Sequence, residues 1–152
     1  MRNLILLIIS YLAVGCAGTP DRSPDGQIIP SKVRSITAVL NASKDNCFKI
    51  MKKTLINRGY IIKYSDKDTQ SVSTEFKDMD DIANQQVALN LSIVNSSKSQ
   101  CSVRVQGRLY HRLLNTRTAI QHHGMQGSPV RNAWDEMHFT AKEISPKNLT
   151  YN

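Results

Sequence analysis

Four histidines, His111, His122, His123 and His138, with Asp135 and Glu136 nearby, are the side chains of this sequence best suited to acid–base or metal chemistry. A zinc hydrolase needs ligands at fixed spacing, as in H-E-x-x-H, where two histidines one helical turn apart share a face. No pair of these histidines has that spacing. His122 and His123 precede Gly124 and are expected as exposed polar loop residues, able at most to hold a metal loosely. His138 falls beside an apolar stripe and is expected at the edge of a core. Nucleophilic catalysis fares no better, because G-x-S-x-G is absent and Cys47 and Cys101 fall on apolar faces, where a thiol is inert. Asp78, Asp80 and Asp81 lack the D-x-[DN]-x-[DN]-G pattern of a calcium loop and suit a solvated acidic turn. No glycine-rich phosphate loop is present. The sequence thus offers no catalytic residue, no metal ligand set and no cofactor site, and it points away from an enzyme.

What remains is a line of cations. In the alternating stretch from Cys101 onward, Arg104, Arg108 and Tyr110 fall on one side, and Arg112 continues the parity. Same-side neighbours on a strand stand roughly 6.6 Å apart, so the guanidiniums would form a row able to grip carboxylates or phosphates bidentately. Such a row is either an ordinary solvated sheet face or a docking strip for an acidic partner.

The elements that would position this strip follow from periodicity. Residues 33–40 alternate with Ile36, Ala38 and Leu40 on one side, a first strand. Ser43 can cap a helix running to Arg58, with Gly59 in the left-handed position after it. Cys47, Ile50, Met51 and Leu55 form its buried stripe. Residues 60–64 and 71–76 make a hairpin, with Val72, Thr74 and Phe76 on one side, and an acidic loop covers 77–84. Val87, Leu89, Leu91 and Ile93 mark the clearest strand, followed by the arginine-bearing strand, whose other face carries Cys101, Val103, Val105, Gly107 and Leu109. Leu113, Leu114, Ala119 and Ile120 suggest a further strand. Ser128 and Pro129 then open a helix with Val130, Trp134, Met137, Ala141 and Ile144 on one face, which Pro146 ends, leaving residues 147–152 as a frayed tail. The expected fold is α+β: an antiparallel sheet of about five strands with two helices on one face, in the order β-α-β-β-β-β-α.

The formal charge is +8 over 152 residues, falling to +7 once Arg2 is removed, so the folded part is basic. Residues 1–16 decide what such a charge meets. Arg2 precedes the short apolar run 4–12, and Leu12-Ala13-Val14-Gly15-Cys16 places small residues before a cysteine. A membrane span needs about 20 apolar residues, more than this run supplies. The stretch resembles the signal peptide and lipobox of bacterial lipoproteins, with Ala13 where that family usually has Leu. The resemblance implies removal of residues 1–15, acylation of Cys16 and, because Ala17 and not Asp follows, sorting to the outer membrane facing the periplasm. An ordinary secretory signal with Cys16 left as a thiol is the other reading; both export the chain. Residues 16–32, with Pro20, Pro24, Pro30, Gly18 and Gly26, are then a flexible tether, and residues 33–146 one domain.

Export has two consequences. Cys47 and Cys101 become an even pair in an oxidising compartment, either a disulfide or two buried thiols. The basic surface meets an acidic envelope protein, lipopolysaccharide or peptidoglycan, and not nucleic acid. The run Asn57-Arg58-Gly59-Tyr60-Ile61-Ile62, with Asp66, Asp68 and Val72-Ser73-Thr74, is similar to the helix-grip domains of outer-membrane lipoproteins of the BamC type, over residues 33–109. That similarity implies a non-catalytic assembly or accessory role exerted through surfaces. The expected function is therefore a tethered envelope lipoprotein binding another envelope component. The alternative is a module holding a lipid or small molecule in an apolar pocket between helix and sheet.

Overall fold

The computed structural model describes residues 28–79, 84–123, 127–145 and 148–152. The lipobox, Cys16 and the tether up to residue 27 lie outside the described residues, as do Asp80, Asp81, Gly124 and Pro146.

Alternation along most of β5 (Gln85–Ser96) and β6 (Cys101–His111) marks two long strands, which pair antiparallel at the centre of one sheet with a register shift between Ile93 and Asn95. β6 is continued on its other side by β1 (Ile36–Leu40), and β5 by β3 (Ser71–Thr74) and β2 (Ile62–Asp66). Short strands complete the set: β4 (Lys77–Asp78) on β5, β7 (Thr116–Ala119) on β6 and β8 (Leu149–Tyr151) on β1. Among the described residues the sheet has eight strands against an expected five or so, and the additions are the short ones that carry little or no alternation.

Both helices bury their apolar stripes on one face of this sheet, which makes the fold α+β in two layers. Helix α1 (Lys44–Asn57) follows Ser43 and buries Cys47, Phe48, Met51, Thr54 and Leu55. It stops because Gly59 adopts φ +76°, letting the Gly59 and Tyr60 amides donate to the carbonyls of Ile56 and Leu55. Helix α2 (Pro129–Ile144) starts where the Ser128 hydroxyl accepts from the Arg131 amide, with Pro129 in the first turn. The space between layers is filled by Met51, Leu55, Leu89, Leu91, Val103, Val105, Trp134 and Met137, none more than 1% exposed. Cys47 on α1 and Cys101 on β6 stand at disulfide distance with Cα atoms 6.6 Å apart, inside the usual range for such a bond.

Several expectations are corrected. The tail after Pro146 is not frayed: β8 pairs with β1, and the Asn152 carbonyl accepts from the amides of Arg34 and Ser35. The free edge of β1 offers main-chain groups that this short segment satisfies. The tether does not reach Lys32, because Ile29 is buried and the Lys32 amide donates to the His122 carbonyl. Leu113 and Leu114 are not strand residues but lie exposed in the β6–β7 turn. Phe76 lies beyond β3 and leaves the inner face for a tilted contact with Tyr110, ring centroids 5.6 Å apart.

Candidate anion-binding groove

The face of the sheet opposite the helices is where the strip falls. In the β5–β6 register Arg104 stands across from Ser92, Arg108 from Ala88 and Tyr110 from Gln86. Arg104 and Arg108 are both exposed on this face. Arg112 is not in the row: β6 ends at His111, and Arg112 sits in the following turn, its guanidinium 2.8 Å from Asp78. Its place is taken by a residue that sequence parity could not supply, Arg117 of β7, which pairs across from Tyr110. The Arg117 guanidinium lies 5.6 Å from the Phe76 ring centre and 5.5 Å from that of Tyr110, a cation held over two aromatic faces.

Phe76, Arg108 and Arg117 border a groove of about 650 Å³, while Arg104 and Tyr110 stand outside its lining. Size contrast makes it: Ala88, Ala119 and Ser73 leave the floor low, while Phe76, Arg117, Arg108 and Arg34 stand around it. Asn90 and Gln106, cross-strand partners, add two amide side chains. Lys63 and Glu75 at the rim pair at 3.5 Å, both largely exposed. Among the described residues no carboxylate lies within ion-pair distance of Arg34, Arg104, Arg108 or Arg117, so the groove carries an uncompensated positive charge.

Gly107 fixes one border of this site. A Cβ there would meet Ile120 Cδ1 at 2.5 Å and Leu89 Cδ2 at 3.1 Å. The bare glycine lets the chain leaving β7 cross close to β6, with the Ile120 amide donating to the Gly107 carbonyl.

The histidines do not converge. His122, expected in an exposed loop, is buried against the Trp134 ring at 5.0 Å, because its polar atoms find partners. Its Nδ1 donates to the Pro30 carbonyl at 3.0 Å, leaving Nε2 to accept from Arg131 Nη1 at 3.3 Å. Arg131 also donates to Asp135 at 3.0 Å. His138 is half-buried, with Nε2 3.1 Å from the Tyr151 hydroxyl; burial, helped by the Lys142 charge, holds its pKa below the ordinary value. His123 is exposed, and His111 accepts from the Leu114 amide at 3.4 Å. Among the described residues no three His, Cys, Asp or Glu side chains are placed to hold a metal.

A second cleft, about 270 Å³, lies where α2 meets β4. Glu136 there contacts the Arg58 guanidinium, accepts from the Tyr60 hydroxyl at 3.0 Å and stands 3.7 Å from Lys77 Nζ. Lys77 in turn donates to the Arg58 carbonyl at 2.8 Å and sits 5.0 Å over the Tyr60 ring. Burial, with the Glu136 charge beside it, pushes the Tyr60 phenol far above its ordinary pKa. Every charged group of this cluster is committed to another, and together they form a clasp joining the end of α1 to α2 and β4.

No family model and no curated protein matches the chain. Among solved structures, the chain is similar to a DUF4468 family protein from Bacteroides ovatus ATCC 8483 at 13% identity and TM-score 0.39, covering 78% of this chain and 84% of that one. Among the described residues no helix is long and apolar enough to cross a membrane.

Proposed function

We propose that the protein is a non-enzymatic cell-envelope lipoprotein, held at the outer membrane through acylated Cys16, whose single domain docks an acidic envelope component. The observation that carries this reading is the open sheet face, where Arg34, Arg108 and Arg117 border a formed groove and, like Arg104 on the same face, have no acidic partner among the described residues. Uncompensated charge of this kind steers and orients an oppositely charged partner. The lipobox resemblance supports the compartment, and the engagement of every ionic group in the Glu136 clasp supports a non-catalytic role. The alternative, an apolar ligand between helix and sheet, has no such observation behind it.

The test is made in a Gram-negative host. The full chain is expected in the outer-membrane fraction, and Cys16→Ala is expected to release it. A partner cross-linked to the parent should be lost from a folded Arg104→Ala, Arg108→Ala, Arg117→Ala variant. Equal recovery by both would remove the sheet face from the function, and hydrolysis of an envelope substrate abolished by a single His or Asp change would overturn the non-enzymatic reading.

A further inference from the structure

We infer that the groove on the open sheet face is a binding site for an acidic saccharide, one whose sugar rings carry a carboxylate or phosphate. The inference rests on the docking reading above and gives that site its ligand class.

The charge is the first part of the argument. Arg34, Arg108 and Arg117 border one groove, none with a carboxylate at ion-pair distance among the described residues. Guanidiniums present forked donors that match carboxylate and phosphate oxygens. A lone anion would leave most of the space empty, because about 650 Å³ lies within the range of organic ligand sites, roughly 300–1000 Å³.

The floor gives the second part. Asn90 and Gln106 lie side by side across β5 and β6, with Ser73 on β3 opposite Asn90. Each amide side chain offers both donors and an acceptor, and Ser73 adds a hydroxyl. Sugar hydroxyls are likewise donor and acceptor at once, so such a floor matches them. In the next row Ala88 and Ala119 flank Arg108, leaving low ground on either side of it on which a ring can lie. At the wall stands Phe76 with the Arg117 guanidinium over its ring, an apolar and cationic pair suited to a pyranose that carries an anionic group.

The third part separates a saccharide from an acidic peptide. An extended peptide binds a sheet best at an edge, where unpaired main-chain groups complete a ladder. This floor lies at the centre of the sheet: β5 is paired with β3 and β6, and β6 with β1 and β7 on its other side. Its main-chain groups are used, and only side chains are presented, which suits a ligand recognised through hydroxyls and charge.

The full-length protein, purified in a non-ionic detergent, is titrated calorimetrically with four probes: a muramic-acid-containing disaccharide, a bisphosphorylated glucosamine disaccharide, neutral chitobiose and hexaglutamate. At least one acidic disaccharide is expected to bind ten-fold or more tightly than chitobiose and hexaglutamate, and the two acidic arms identify carboxylate or phosphate. Arg108→Gln with Arg117→Gln should weaken that binding at least ten-fold with an unchanged unfolding midpoint, and Phe76→Ala should weaken it without changing its salt dependence. Hexaglutamate binding as well as either sugar would overturn the saccharide assignment while leaving the docking reading standing. Binding by none of the probes overturns the saccharide assignment, and the cross-linking result then decides the docking reading separately. Sugar binding unchanged in the double variant would place the site elsewhere and overturn the inference.

Discussion

Replacing Tyr60 by Phe removes one oxygen from the interior and nothing else. That oxygen donates to Glu136 at 3.0 Å, and the ring beneath it is 3% exposed. A hydrogen bond to a charged acceptor contributes about 1.5–3 kcal/mol. Glu136 keeps Arg58 and Lys77 as partners, so the expected loss at pH 7 is at the lower end, about 1–2 kcal/mol. The pH dependence is the sharper signature. Burial raises the Tyr60 pKa in the folded protein, whereas the unfolded chain titrates at about 10. Because the folded pKa is the higher one, the associated stability is fully present below pH 10 and is lost as the pH rises above it. One proton corresponds to a slope of up to about 1.4 kcal/mol per pH unit. Exposed Tyr64, raised by its hydrogen bond to Asp66, has the same sign but is untouched by the substitution and cancels in the comparison. Urea unfolding of parent and Tyr60→Phe from pH 7 to 11 should therefore give two curves that start apart, the parent more stable, and converge near pH 11. Parallel curves through pH 11 would show that the Tyr60 phenol is not buried beside a carboxylate, and the clasp would have to be withdrawn.

Three further outcomes follow from other parts of the fold. Reduction, or Cys47→Ala with Cys101→Ala, opens a crosslink between residues 54 apart and should cost about 4 kcal/mol on the chain-entropy model, read as a shift in urea midpoint with and without reductant. Ending the chain at residue 147 removes β8, and thermal unfolding should drop by an amount corresponding to about 2–4 kcal/mol, since several main-chain bonds at about 0.5–1.5 kcal/mol each are lost with the packing of Tyr151 on Trp134. An unchanged midpoint would mean that β8 does not hold the edge of β1. Gly107→Ala forces Ile120 to move and should cost about 1–3 kcal/mol by overpacking, again from the urea midpoint.

Most of the scaffold was legible because its signals are local. Alternation marked β5 and β6, the spacing of Cys47, Met51 and Leu55 marked α1, and Ser128-Pro129 marked the start of α2. What escaped was specified by partners far away in the chain. β7 is exposed throughout and exists because β6 offers it an edge; β8 lies beyond a proline and is held by β1. His122 looked like a solvated loop residue since nothing near it in sequence announces the Pro30 carbonyl and the Trp134 ring. The candidate site divides the same way. Parity alone placed Arg104, Arg108 and Tyr110 on one face, but Arg117, Arg34 and Phe76 reach the groove from other segments, and only the register brings them there. Arg112 was lost to the strip because parity does not say where a strand ends.

The pairing of β1 on both sides has a mechanical meaning. Any pull on the chain ahead of Ile28 passes through residues 29–33, held by the burial of Ile29 and by bonds that tie Pro30, Lys32 and Val33 to His122, to β1, which lies between β6 and β8. Antiparallel ladder bonds run perpendicular to the strands, so tension along β1 loads its two rows of bonds together, in shear, instead of peeling them one by one. The short C-terminal strand thus acts as a second rail for β1. Were the domain anchored ahead of Ile28 as proposed, this joint would resist its being drawn out, and trimming the last few residues would leave β1 fastened along a single edge.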